Sequence, residues 1–82
     1  MFPEDIQAAA ENVVRAAIKA GVLIATAESC TGGLVFGALT AVAGSSAALD
    51  RGFITYSNEA KAELLGVSEG LLAQFGAVSE PV

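Results

Sequence analysis

A serine, a tyrosine and a lysine at the ends of two short apolar runs are the residues of this chain best placed to do chemistry. The run Val22-Leu23-Ile24-Ala25-Thr26-Ala27 leads into Glu28-Ser29-Cys30-Thr31-Gly32-Gly33. A strand-to-helix turn of this kind presents small polar side chains beside a fan of unpaired backbone N–H groups at the positive end of a helix. A developing oxyanion or a phosphate is stabilised in such a place, and Gly32 and Gly33 let a ligand approach the backbone closely. The pattern is not G-x-S-x-G, and it lacks both the Walker A lysine and the three-glycine dinucleotide spacing. Spacing alone therefore leaves open a capped turn whose glycines serve packing. Further on, Thr55-Tyr56-Ser57-Asn58-Glu59-Ala60-Lys61 puts a tyrosine at the end of a second strand and a lysine in the first turn of the next helix. The macrodipole disfavours a cation there, and a lysine kept neutral can activate a serine without any histidine. The plainer alternative is a solvated Lys61 and an edge aromatic at Tyr56.

The neighbours carry two readings each. Cys30, at a helix N-terminus beside a nucleophile, could be a reactive thiolate, but a lone cysteine between strand and helix reads rather as a small buried hydrophobe. Glu28 could orient the lysine or bind a substrate hydroxyl, and a carboxylate there also stabilises the helix without touching substrate. Thr31 reads as a helix cap, and Asp50-Arg51 as an exposed pair.

The elements that must position these residues follow from periodicity. Ile6, Ala10, Val13, Val14, Ala17 and Ile18 recur at helical spacing, with Pro3 suited to a first turn and Gly21 just beyond the end, which predicts an amphipathic helix over Pro3–Ala20. The continuous apolar run 22–27 predicts a strand covered on both faces. Leu34 to Val42 is apolar on nearly every side and predicts a buried helix, broken by Gly44-Ser45-Ser46. Arg51 to Tyr56 predicts a strand, Ser57-Asn58 a helix start running to Gly66, and Ser68 the cap of another helix through Phe75. If the buried helix is a right-handed crossover between parallel strands, both strand ends emerge at one edge of the sheet, and Ser29, Tyr56 and Lys61 converge. Ser79-Glu80-Pro81 is a further helix-start signal with no helix after it, which predicts that the architecture continues beyond Val82.

Composition bounds the rest. Eighty-two residues make one domain at most, and a chain this short buries only about 60–65 % of the surface its unfolded form exposes. Ile, Leu, Val and Phe supply 24 of the 82 residues, above the disorder range. The single cysteine allows no internal disulfide, so further stability must come from a partner chain, a further segment or a ligand. A net charge of −5 with no Lys/Arg cluster argues against nucleic acid. No apolar stretch approaches the ~20 residues of a membrane span, and no basic leader opens the chain, which predicts a cytoplasmic protein. The absence of histidine removes Ser-His-Asp and Cys-His catalysis and most zinc sites.

Taken together, Ala25-Thr26-Ala27-Glu28-Ser29-Cys30-Thr31-Gly32-Gly33, Gly44-Ser45-Ser46, the run from Asp50 to Lys61 and Leu64-Leu65-Gly66-Val67 closely resemble the CinA C-terminal domain family, in order and spacing, from the first helix to Val82. The resemblance implies an α/β fold: a three-layer α/β/α sandwich with helices on both faces of a largely parallel or mixed sheet. Residues 1–82 would form a single such domain, represented here by its N-terminal half, because the family's domain is about twice this long. It also implies hydrolysis of the carboxamide of nicotinamide mononucleotide to nicotinic acid mononucleotide and ammonia, with no metal or organic cofactor. Charge and hydropathy predict no nucleic-acid or membrane partner, and a homo-oligomer is expected. The family's catalytic serine, tyrosine and lysine fall on Ser29, Tyr56 and Lys61. Glu28, Cys30, Thr31, Gly32 and Gly33 are then expected to bind substrate, or an oxyanion through the backbone N–H groups of Cys30 to Gly33. Two other readings remain: a module that holds a nucleotide phosphate at the Gly32-Gly33 turn without chemistry, and an oligomerising domain of a larger enzyme.

Overall fold

The computed structural model describes residues 1–82 and places four helices, one short 3₁₀ turn and two strands along the chain. Helix α1 (Glu4–Ala20) begins one residue after Pro3, whose carbonyl accepts the first helical bond from the Gln7 N–H. It ends at Gly21, in the left-handed region at φ 69°, where the N–H groups of Gly21 and Val22 turn back to the carbonyls of Ile18 and Ala17. Strand β1 (Ile24–Glu28) runs parallel to β2 (Leu49–Ile54), with Thr26 opposite Gly52 and Glu28 opposite Ile54. Helix α2 (Leu34–Thr40) and the 3₁₀ turn Ser45–Ala47 link the strands. Helices α3 (Asn58–Leu65) and α4 (Glu69–Phe75) follow. The Ser57 and Ser68 hydroxyls accept from the N–H groups of Ala60 and Leu71, which caps the two helices as their sequences predict.

The fold is α/β, as expected, and its small core lies between α1, α2 and the beginnings of the strands. Ala10, Val14, Ala17, Leu39 and Ala48 form it, with Ile24, Ala38, Val42 and Leu49 packed against it. Gly52 lets α2 approach the sheet, because a Cβ there would stand 2.9 Å from Cγ of Phe36 and 2.8 Å from Oγ1 of Thr26.

Two expectations need correction. The β1 strand is not covered on both faces: Ile24, Thr26 and Glu28 are shielded, whereas Ala25 and Ala27 are exposed, because no element of residues 1–82 lies over that side. Helix α2 stops at Thr40, whose hydroxyl bonds the Gly37 carbonyl, and only Leu39 of it is buried. The apolar stripe of α1 is wider than what it meets, so Ile6, Val13 and Ile18 stay exposed. After Gly76 no helix starts; the Ser79 hydroxyl bonds the Gly76 carbonyl in an irregular segment. No helix is long and apolar enough to cross a membrane.

Candidate functional site

Parallel pairing brings the carboxyl ends of β1 and β2 to one edge of the sheet. The Thr55 N–H and hydroxyl donate to the Glu28 carbonyl at 2.7 and 3.3 Å, and this joins the two chain segments one residue before Ser29 and one residue before Tyr56. Thr55 is only 1 % exposed. Its role escaped the sequence reading, although a threonine one step past the register partner of Glu28 is a signal that the parallel arrangement would have exposed. Ser29 is half-buried and carries no intramolecular side-chain bond.

Lys61 lies in the first turn of α3 and is buried, 6 % exposed, with Nζ donating to the Tyr56 carbonyl at 2.9 Å. An ammonium or amine held this way keeps further donor or lone-pair capacity free. The Tyr56 ring, by contrast, is exposed. Ser29, Cys30, Tyr56, Asn58 and Lys61 line one open cavity of about 320 Å³, together with Ala77 and Val78. The convergence expected of Ser29, Tyr56 and Lys61 is thus present as a shared opening, without a direct hydrogen bond between the serine and the lysine. Asn58 joins them as a residue the sequence reading treated only as part of a helix start. A larger groove of about 630 Å³ between α1 and α2 offers Thr31 as its one polar side chain, and so has no nucleophile–base pair.

Of the two roles its position allows, Glu28 takes the helix-stabilising one, not the lysine-orienting or substrate-binding one. Its carboxylate, 5 % exposed, faces α2 and neither Lys61 nor the cavity. Oε1 accepts from the Thr31 hydroxyl at 2.7 Å, from the Gly33 N–H at 3.1 Å and from the Val35 N–H at 2.9 Å, and Oε2 accepts from the Phe36 N–H at 2.9 Å. Burial by itself would raise this carboxyl, but the bonds from Phe36, Thr31, Val35 and Gly33 outweigh it and hold the group below its ordinary value. The carboxylate therefore serves as the anion of the α2 N-terminus, a place that a substrate phosphate would otherwise take. Thr31 does not cap the helix directly; it supports the residue that does.

The turn itself spends two of the expected oxyanion donors. The Gly32 N–H bonds the Ser29 carbonyl at 3.0 Å, and the Gly33 N–H belongs to Glu28. The N–H groups of Cys30 and Thr31 make no intramolecular hydrogen bond, so they are the donors left beside the serine. Gly32 and Gly33 have φ of 60° and 99°, and a Cβ on Gly33 would lie 2.8 Å from Cδ1 of Ile54. Cys30 is exposed, not buried, because the turn directs it away from the α1–α2 core. The Asp50–Arg51 contact, 2.8 Å long, is the exposed pair expected. No three His, Cys, Asp or Glu side chains gather as a metal site would need.

The profile of the CinA C-terminal domain matches residues 6–82. The chain belongs to that family. It is 54 % identical, over all 82 residues, to the nicotinamide-nucleotide amidohydrolase PncC of Escherichia coli, of which it covers 50 %. The protein of the same name from Enterobacter agglomerans is 64 % identical over 70 residues, which are 84 % of this chain and 43 % of that one. Among solved structures, the competence/damage inducible protein CihA from Agrobacterium tumefaciens superposes with a TM-score of 0.96 at 52 % identity, over 99 % of this chain and 49 % of its own. The chain thus spans about half the length of these relatives.

Proposed function

We propose that this CinA-family chain contributes the nucleophile half of an amidohydrolase site that converts nicotinamide mononucleotide to nicotinic acid mononucleotide and ammonia, within cytoplasmic pyridine-nucleotide recycling. The observation that carries the reading is the buried Lys61 side chain, whose Nζ donates to the Tyr56 carbonyl and which lines the same cavity as Ser29. The amidohydrolase name of relatives 54 % identical over the whole chain supports the substrate class.

In this mechanism neutral Lys61 takes the proton of Ser29 as its oxygen attacks the carboxamide carbon. Tyr56 aligns the amine through its carbonyl, and its exposed ring is available to the substrate or to the proton relay. The tetrahedral oxyanion accepts from the Cys30 and Thr31 N–H groups, each such donor contributing roughly 3–4 kcal/mol in well-studied acyl-transfer enzymes. Lys61 returns the proton to the departing nitrogen, ammonia leaves, and water releases the acid from the serine ester. Residues 1–82 act as one part of a CinA domain, in a homo-oligomer.

Ammonia release from nicotinamide mononucleotide by the gene product at its full natural length, compared with its Lys61→Arg variant, tests the reading. A guanidinium does not deprotonate near neutral pH, so the variant should lose at least ~10²-fold in kcat. Full activity in Lys61→Arg removes the lysine as base. No ammonia from the wild type, with nucleotide binding that survives Ser29→Ala, replaces the enzyme with a nucleotide-binding module.

A further inference from the structure

We propose that Glu28 is a positioning residue for Ser29: its buried carboxylate and its main chain together lock the Ser29–Gly33 turn between β1, β2 and α2, so that the nucleophile and the free Cys30 and Thr31 N–H groups keep a fixed mutual geometry. This rests on the reading of Ser29 as nucleophile and adds to it a residue that touches no substrate.

Glu28 is held at both ends. Its carbonyl accepts two bonds from Thr55, the residue before Tyr56, whose own carbonyl holds Nζ of Lys61. Its carboxylate accepts four bonds from the far side of the turn and from α2. Ser29 and Lys61 are thereby placed relative to one another through two adjacent pairs, Glu28–Ser29 and Thr55–Tyr56, although the serine and lysine share no bond. The carboxylate also draws the Gly33, Val35 and Phe36 donors onto itself. The Cys30 and Thr31 N–H groups, next to Ser29 in the chain, are left without an intramolecular acceptor. An α2 capped by a serine or threonine hydroxyl would satisfy fewer of these donors and would leave the turn freer to shift.

Glutamine keeps the length of the side chain but offers a single oxygen, so one edge of its amide must present N–H to a backbone donor, either at Phe36 or at the Gly33–Val35 edge. Aspartate keeps the charge but is one methylene short of α2. In the full-length gene product, Glu28→Gln should lower kcat roughly 10- to 100-fold with KM within about 3-fold, since a displacement near 1 Å at a reacting group costs on that order. Labelling of Ser29 by a fluorophosphonate should slow in parallel, and Glu28→Asp should not rescue either readout. Thr31→Val removes one of the four bonds and keeps the carboxylate; it should show a several-fold kcat loss even where Glu28→Gln proves too unstable to isolate. Assays run well below each variant's melting temperature separate positioning from a lower folded fraction. A folded Glu28→Gln or Thr31→Val with wild-type kcat and labelling rate overturns the proposal. So does a raised KM at unchanged kcat, which would make Glu28 a binding residue. Ser29→Ala, run beside them, isolates the underlying reading: retained activity in that variant sinks the nucleophile assignment itself.

Discussion

Gly33→Ala is the substitution whose consequence can be worked most closely from the structure. At φ 99° an alanine occupies a left-handed conformation that costs an L-residue about 1–2 kcal/mol. The new Cβ would also sit 2.8 Å from Cδ1 and 3.5 Å from Cγ1 of Ile54, the end of a flexible and largely exposed side chain. Moving it off its rotamer costs about 0.5–1.5 kcal/mol. The loss of unfolded-chain freedom on replacing glycine returns about 0.4–1 kcal/mol. The net expectation is a destabilisation of about 0.5–3 kcal/mol, read from urea denaturation of the full-length gene product. Ile54→Ala removes the clashing atoms, so Gly33→Ala in the Ile54→Ala background should recover about 0.5–1.5 kcal/mol of that cost and keep the dihedral part. A Gly33→Ala effect below ~0.3 kcal/mol, or one untouched by Ile54→Ala, would refute the account of the turn.

The remaining predictions concern the sheet, the cap and the exposed surface. Gly52→Ala forces Phe36 and Thr26 apart and should cost about 1–3 kcal/mol by the same denaturation assay, with a neutral result showing that α2 does not need this close approach. Because the Glu28 carboxyl is held below its ordinary value near 4.5, its contribution to stability is complete above that value and is lost as pH falls through the folded-state value. Denaturation midpoints should therefore decline below about pH 4.5, and part of that slope should vanish in Glu28→Gln. Only 10 of the 82 residues are buried, and Leu23, Leu34, Val35, Ile54, Leu64 and Val78 stand exposed, so the 82-residue chain by itself should self-associate in sedimentation velocity. A sharp monomeric thermal transition would contradict that.

Much of this was legible in the sequence because the signals were local. Gly21, Ser57, Gly66 and Ser68 end or begin helices through their own backbone freedom or hydroxyls, and each does so where spacing predicts. The convergence of Ser29 with Lys61 required only that two strands joined through a helix be parallel, since the strand ends then share one edge. What stayed hidden depends on competition between partners. A glutamate before Ser29 can reach a lysine, a substrate or a helix end, and only the packing of α2 shows that four donors there outbid the others. The identity of the free donors was equally inaccessible, because Gly32 and Gly33 look as available as Cys30 and Thr31 until the turn spends them. The bare side of β1, with Ala25 and Ala27 exposed, escaped because a continuous apolar run reports what a strand is suited to meet, not which residues supply the cover.

The central claim is that Ser29 attacks the carboxamide of nicotinamide mononucleotide, and the most direct measurement is ammonia release by the full-length gene product and its Ser29→Ala variant, with the 82-residue chain alongside. The account predicts ammonia from the wild type and a loss of at least ~10³-fold in Ser29→Ala, with the 82-residue chain inactive or nearly so. Ammonia released at an unchanged rate by Ser29→Ala would contradict it.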